Sequence, residues 1–367
     1  MMKKKLISLL VLGAMMLSLF TACTKDEGNT TEHSSSNQET ITVLNYGKYL
    51  DQDAIQQFES ETGITVKYEE YESPEEMYTK YKAGSIDYDL ICTSEYMIER
   101  LIKENEVNEI DYSALGNYAN VNPDIIDLCG SFDPEHKYVL PYFYGTVGIL
   151  YNKTMVDEAD VQSWDALWNK KYKNEIIQQN SVRDAFMPAL SKLGYSINTT
   201  DPSELREALD LLIKEKPLVY AYMVDETGDE MIAGNAALAV VYSGEAAYAM
   251  DFNDDLDYSV PKEGSNLWID SWFIPKSCKN QVAAQKFLDF LCRDDIASLN
   301  FEYVYYSSPI LSVRENQDED VKNDEVINPS QETLKRCEVY QALSEKDSTY
   351  YSNLWQELKS TQASFFH

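Results

Sequence analysis

Aromatic residues stand beside acids or small polar residues in five short segments of the chain. The segments are Asn45-Tyr46-Gly47-Lys48-Tyr49, Ser94-Glu95-Tyr96, Tyr242-Ser243-Gly244-Glu245, Trp268-Ile269-Asp270-Ser271 and Tyr305-Tyr306. Aromatic faces attract an ammonium group and its methylene carbons, and carboxylates add charge-assisted hydrogen bonds. Together they suit an organic cation, whereas a single tyrosine at a strand end is more often a packing residue.

Sequence signatures of the common enzyme sites are absent. The chain has no Walker A, GxGxxG, GxSxG or HExxH pattern, and its histidines are His33, His136 and His367. Chemistry that needs several histidines is therefore nearly excluded, and we expect His136 in a surface loop. We expect no cofactor and no metal site. A hydrolase that uses two carboxylates stays open as an alternative, because spacing in sequence does not give distance in space.

The chain is strongly acidic. Its 367 residues include 31 Lys and Arg against 62 Asp and Glu, a formal net charge of −31. Such a chain repels a phosphate backbone, so nucleic acid is not the expected partner and a cationic ligand fits better. Most of the surface acids are expected to serve solubility. The hydrophobic fraction of 44% is enough for a sizeable core.

Residues 1–22 are predicted to be a lipoprotein signal peptide. Residues 1–22 place three lysines before an apolar run of signal-peptide length, too short for an ordinary membrane span. Small residues precede Cys23, which is typical of a bacterial lipoprotein whose cysteine is lipidated, although Phe20 stands where leucine is usual. A plain secretory signal is the alternative. Residues 23–40 are then the lipidated cysteine and a flexible linker.

Further cysteines follow in the body of the chain, at Cys92, Cys129, Cys278, Cys292 and Cys337. They have no zinc-ligand spacing, and five is an odd number for a disulfide framework. We expect buried free thiols, with at most one or two bridges.

From residue 41, strand and helix patterns alternate. Strands are predicted at 41–45, 64–71, 88–92, 138–151, 218–222, 236–242 and 268–274. Helices are predicted at 52–60, 95–104, 182–193, 203–214, 225–233, 280–292 and near the C-terminus. A capping box at Ser73-Pro74-Glu75-Glu76 marks another helix start. This alternation predicts an α/β fold with largely parallel sheets, either as one domain or as two lobes joined by ordered strands.

Nine segments carry a family resemblance over about residues 41–360. In chain order they are NYGKY (45–49), YESPEEMYTK (71–80), YDLICTSEYMIERL (88–101), LPYFYGTVGILYN (140–152), WDALWNKKYK (164–173), FMPALSKLGYSINTTDP (186–202), VVYSGEAAY (240–248), VPKEGSNLWIDSWFIP (260–275) and YSSP (306–309). This series resembles the substrate-binding proteins of spermidine/putrescine ABC transporters. The resemblance implies a two-lobed periplasmic-binding-protein fold of type II (venus flytrap) with crossover hinge strands. Lobe 1 would hold 41–145 plus 271–314, and lobe 2 would hold 146–270 plus 315–367.

The resemblance also implies the ligand contacts. The positions that match the binding residues of the family are Tyr46, Tyr49, Ser94, Tyr96, Asp184, Tyr242, Trp268, Asp270 and Tyr306. Tyr46 stands where the family has tryptophan. In the family, the residue at Trp268 stacks on the ligand chain and the residue at Asp270 pairs with an amine.

Two departures from the family bear on the charge of the ligand. Ser181 replaces the first of two acids, and Lys48 occupies a position that is often acidic. We expect Lys48 to point to solvent, because an unpaired lysine is rarely buried. The expected pocket carboxylates are Glu95, Asp184 and Asp270, with Glu245 in reserve. Which polyamine is preferred stays open.

The predicted function is capture of spermidine, putrescine or both in an interlobe cleft, for delivery to an ABC permease of the cytoplasmic membrane. The protein would be a monomer and not an enzyme, held only by a lipid anchor on the outer face of the bacterial cytoplasmic membrane, in an extracellular or periplasmic position. One alternative on the same scaffold is a ferric-ion receptor that uses the adjacent Tyr305-Tyr306.

Overall fold

Strands and helices alternate through the computed structural model, which describes residues 39–224 and 226–361. The strands are β1 Thr40–Tyr46, β2 Thr65–Tyr71, β3 Leu90–Thr93, β4 Val107–Asn108, β5 Val139–Asn152, β6 Ile176–Gln179, β7 Val219–Met223, β8 Leu238–Tyr242, β9 Leu256–Ser259 and β10 Leu267–Pro275. The predicted signal sequence, Cys23 and nearly all of the predicted linker lie outside the described residues.

The α-helices lie between and after these strands. They are α1 Gln52–Thr62, α2 Pro74–Lys82, α3 Glu95–Lys103, α4 Pro123–Cys129, α5 Val182–Leu193, α6 Pro202–Glu215, α7 Thr227–Ile232, α8 Ser243–Phe252, α9 Gln281–Leu291, α10 Asp294–Val304, α11 Leu311–Glu315, α12 Glu319–Lys322, α13 Gln331–Arg336 and α14 Glu345–Ser360. Within the described ranges, none of these helices combines the length and the apolar character that crossing a membrane requires.

The sheet is mixed, with its main strands in the order β2-β1-β3-β10-β5-β8-β6-β7. Two parallel sets flank its centre, since β1 pairs in parallel with β2 and β3, and β6 with β7 and β8. The central strands β5 and β10 run antiparallel to their neighbours. The prediction of largely parallel sheets is therefore wrong at these two strands, because an alternating pattern does not reveal the direction of a strand that joins two parallel sets.

Strand β5 connects the two sets. Its residues 139–146 pair with β10, and its residues 147–151 pair with β8. All 14 residues of β5 are buried, which explains its continuous apolar run, because both faces of the strand are covered.

Local signals place most of the elements well. Each predicted strand and helix occurs within a few residues of its expected bounds. At α2, the Ser73 side chain accepts from the Glu76 amide at 3.3 Å, while Glu76 accepts from the Glu72 amide at 2.8 Å. The capping box is thus present with its return bond shifted by one residue. The short strand β6 is not among the predicted strands, and it matters for the site.

The cysteines of the described residues are free. Cys92, Cys129 and Cys292 are buried, as expected, and Cys278 and Cys337 are half-buried. His136 lies exposed in a turn with φ 50, as expected for a surface loop.

Candidate functional site

One cavity of about 1190 Å³ brings together all ten predicted ligand-binding residues. They are Tyr46, Tyr49, Ser94, Glu95, Tyr96, Asp184, Tyr242, Trp268, Asp270 and Tyr306. Their convergence follows from the sheet, because β1, β3, β6 and β8 all direct their carboxyl ends at this cavity. Open α/β sheets offer ligand sites at such strand ends.

Asp270 is the carboxylate of the central strand β10 and is 9% exposed. The Tyr49 hydroxyl donates to it at 2.7 Å and the Tyr46 hydroxyl at 3.4 Å. Burial raises the pKa of Asp270 to about 7, and the two tyrosine hydrogen bonds oppose that rise. Burial, with the charge of Asp270, also raises the pKa of Tyr46 and of Tyr49, so both phenols keep the proton that they donate.

Glu95 opens α3 directly after β3 and is 1% exposed. Its carboxylate accepts from the Ile269 amide at 3.2 Å. Burial, and after it the charge of Asp270, raises the pKa of Glu95 to about 8. Two neighbouring buried carboxyl groups are costly to ionise without a cation, so this part of the cavity favours a positively charged ligand.

Asp184 is a third buried carboxyl group of the cavity lining and stands in the first turn of α5. It accepts from the Tyr242 hydroxyl at 2.8 Å and from the Tyr340 hydroxyl at 3.2 Å. Sequence analysis does not identify Tyr340, because the residue lies between α13 and α14 with no local signal of its own. The Arg183 guanidinium stacks 4.0 Å from the Tyr340 ring and donates to the Gln341 carbonyl at 2.8 Å.

Aromatic rings form the walls between these carboxylates. Trp268 and Tyr306 meet edge to face, with ring centroids 4.9 Å apart. Tyr242 approaches Trp268 at 6.4 Å, also edge to face. Tyr46 and Tyr49 meet at 5.3 Å. These rings line the cavity and offer aromatic surface of the kind that suits an organic cation with a methylene chain.

Two glycines make room for these rings. A Cβ atom on Gly145 would lie 2.5 Å from Cζ2 of Trp268, and one on Gly244 would overlap the Tyr306 ring. Neither glycine has a positive φ. Close approach, and not backbone conformation, therefore requires glycine at both positions.

The two departures lie at different depths of the cavity. Lys48 is exposed, with φ 57, as expected for a lysine that reaches solvent, and it also belongs to the cavity lining. Ser181 is the half-buried N-cap residue of α5, makes no side-chain capping hydrogen bond and also lines the cavity. Glu245, the acid in reserve, lines the cavity and accepts from the Gly228 amide at 2.9 Å.

The adjacent tyrosines do not act together. Tyr306 lines the cavity, while Tyr305 is 47% exposed and has φ 63. Within the described ranges, no three His, Cys, Asp or Glu side chains are arranged to hold a metal ion. The structure therefore gives the ferric-ion alternative no site at Tyr305-Tyr306.

Comparisons with known proteins identify the family of the chain. A family model described as bacterial extracellular solute-binding protein matches residues 53–329. The spermidine/putrescine-binding periplasmic protein of Escherichia coli is 36% identical over 362 residues, which cover 98% of this chain and 99% of that protein. The putrescine-binding periplasmic protein SpuD of Pseudomonas aeruginosa is 29% identical over 346 residues, 89% of this chain and 93% of that protein.

A solved structure shares the fold. The spermidine/putrescine ABC transporter substrate-binding protein PotD from Streptococcus pneumoniae, in complex with calcium and HEPES, is 42% identical with a TM-score of 0.81. The match covers 88% of this chain and 98% of that one.

Proposed function

The chain belongs to the family of bacterial extracellular solute-binding proteins, and we propose that it captures spermidine or putrescine in this cavity for an ABC importer. It is a substrate-binding transport protein and not an enzyme. Its fold is the two-lobed α/β fold of the periplasmic binding proteins that it matches.

One observation carries the choice of ligand. Buried carboxyl groups stand at the two ends of one series of aromatic rings in the cavity. Tyr242, which donates to Asp184, contacts Trp268, Trp268 contacts Tyr306, and Tyr306 contacts Tyr49, which donates to Asp270 beside Glu95. A chain of methylenes with an ammonium at each end matches this arrangement of charge and apolar surface. The relatives from Escherichia coli and Pseudomonas aeruginosa, which are spermidine/putrescine- and putrescine-binding proteins, support the same ligand.

The lobes are assigned as the resemblance implies, with 41–145 plus 271–314 in the first and 146–270 plus 315–367 in the second. The change of partner along β5, from β10 up to Thr146 to β8 from Val147, supports a boundary there. Ligand binding then draws the lobes together, because contacts from both sets of strands are completed only in the closed form.

Anchoring follows from the first residues. Cys23 carries the lipid and holds a monomer on the outer face of the cytoplasmic membrane, next to the permease, with the following residues as a tether. The expected result for Cys23→Ala is release of the protein from the membrane fraction with polyamine binding unchanged. Retention of the variant in the membrane fraction would contradict lipidation at this residue.

The ligand is tested by calorimetry on the mature protein, freed of bound ligand by unfolding and refolding. We expect putrescine or spermidine to bind one to one, with cadaverine and ferric ion as controls. Absence of binding to any polyamine would overturn the proposed ligand. A visible charge-transfer band on adding ferric ion would instead favour the metal alternative.

A further inference from the structure

A buried glutamine ends strand β6 at the wall of the cavity. Gln179 is 1% exposed and belongs to the cavity lining. The side chain of its neighbour Gln178 points to the other face of the sheet, since side chains alternate along a strand. The Gln178 amide donates to Glu215 on α6 at 2.9 Å. The two adjacent glutamines therefore serve different surroundings, one the cavity and the other the core.

The orientation of the Gln179 amide is set by its partner. Its Nε2 donates to the Val240 carbonyl at 2.8 Å, and a carbonyl can only accept, so the nitrogen must occupy that side. The opposite atom, Oε1, is buried and has no hydrogen-bond partner among the described residues. A buried acceptor without a partner is costly in a folded protein, and a ligand donor removes that cost.

Two further oxygens stand close to Gln179 along the chain. Ser181 is two residues later, and its hydroxyl is not used to cap α5. Asp184 is in the first turn of the same helix and already accepts from two tyrosine hydroxyls. All three residues line the cavity.

We propose that Gln179 is a ligand-binding and specificity-determining residue, whose Oε1 joins Ser181 and Asp184 in binding one primary ammonium of the ligand. This inference rests on the proposed function and deepens it. A primary ammonium has three N–H donors, and these residues offer one acceptor each. Gln179 thereby supplies an acceptor at the end of the cavity where Ser181 replaces an acid.

The test is calorimetry with putrescine on the mature protein and on Gln179→Met, which keeps length and volume but removes the acceptor. We expect Kd to rise roughly 10- to 100-fold, the usual effect of losing a hydrogen bond to a charged group. Gln178→Met is the matched control, with the same change at the adjacent buried residue, whose side chain bonds Glu215 and the Gln179 backbone amide and does not line the cavity. It is expected to lower the thermal midpoint and to leave Kd within about twofold.

A second variant covers the case in which Gln179→Met does not fold. Ser181→Ala removes a half-buried hydroxyl that makes no capping bond, and we expect a rise in Kd of several-fold with an unchanged thermal midpoint. If Gln179→Met folds and binds putrescine with wild-type affinity, the inference is overturned. If Gln179→Met does not fold, wild-type affinity of Ser181→Ala overturns it instead. Either result leaves the proposed function intact. If the wild type itself bound no polyamine, the proposed function would fail, and this inference with it.

Discussion

At the scale of single residues, two carboxyl groups of the cavity, those of Asp270 and Glu95, have no cationic hydrogen-bond partner among the described residues. Both groups are buried, the charge of Asp270 raises the pKa of Glu95, and their hydrogen-bond partners are phenols and a backbone amide. Hydrogen bonds from neutral donors do not replace an opposite charge in a buried site. The ligand-free protein therefore holds these groups in a state that a bound ammonium relieves.

The first prediction concerns pH. Since the pKa of Asp270 is about 7 and that of Glu95 about 8, polyamine affinity should fall as pH decreases from about 8.5 to about 6, because protonated acids do not attract a cation. Calorimetry across this range measures the fall. It also measures release of protons on binding, through the dependence of the heat on the buffer.

Ligand-free stability should change with pH in the opposite direction. Both pKa values are raised above their unfolded values of about 4, so the native state binds more protons than the unfolded state between those limits. The stabilising contribution of the two acids is present below about pH 4 and is lost as pH rises through their folded pKa values.

The affinity measurement can contradict the first prediction. Polyamine affinity that is constant from about pH 6 to about pH 8.5 would contradict the assignment of these two acids as ligand contacts.

The second prediction is the substitution Asp270→Asn. It should weaken polyamine binding by roughly 1.5–3 kcal/mol, because a charge-assisted hydrogen bond loses its charge. Asp254→Asn, at an exposed aspartate outside the cavity lining, is the control and should leave affinity unchanged. An Asp270→Asn protein that binds as tightly as the wild type would show that this acid does not contact the ligand.

At the scale of elements, strand ends and tight helix starts position the site. Four residues of the cavity lining stand at or directly after the carboxyl end of a strand. They are Tyr46 at β1, Ser94 at β3, Gln179 at β6 and Tyr242 at β8. Each of these positions turns into a helix or loop within a few residues, so short backbone segments carry the side chains on a rigid frame. The rings are then set by close packing against glycine.

The third prediction tests that packing. Gly244→Ala places a methyl group where the Tyr306 ring lies, so the ring must move and polyamine affinity should fall roughly tenfold or more. Alanine is the better helix former at this α8 position by about 1 kcal/mol, so helix propensity does not account for a loss. Titration of the purified variant measures the change.

Gly116→Ala is the matched control. Its added Cβ meets no atom within 4 Å, so both affinity and thermal midpoint should stay near the wild-type values. Equal affinity of Gly244→Ala and the wild type would indicate that Tyr306 is not a wall of the ligand site.

At the scale of the whole molecule, charge and connectivity both bear on uptake. The net charge of −31 creates a field that attracts a cation from solution. Segments far apart in the chain also meet beside the cavity, since Glu99 on α3 accepts the amide of Ala342 from the segment before α14. Such a contact ties the first set of strands to the C-terminal residues.

The fourth prediction concerns association rates. Because exposed charges are screened by salt, the association rate constant for spermidine should fall severalfold between about 20 mM and about 300 mM ionic strength. Stopped-flow measurement of the intrinsic fluorescence of the cavity tryptophan gives this rate constant. Singly charged N-acetylputrescine is the control and should show a smaller fall, and an equal fall for both ligands would contradict steering by net charge.

The sequence by itself determined the α/β class, most element positions and ten residues that meet in one cavity. It could do so because hydrophobic period, helix caps and strand-end motifs are local properties, while the role of the ten residues as ligand contacts is a prediction from the family resemblance. Only the tertiary structure decided the antiparallel course of β5 and β10, the presence of Tyr340 beside Asp184, and the unpaired oxygen of Gln179. These features depend on strand direction, burial and contacts between distant segments. They arise when the chain packs, and the local sequence pattern does not encode them.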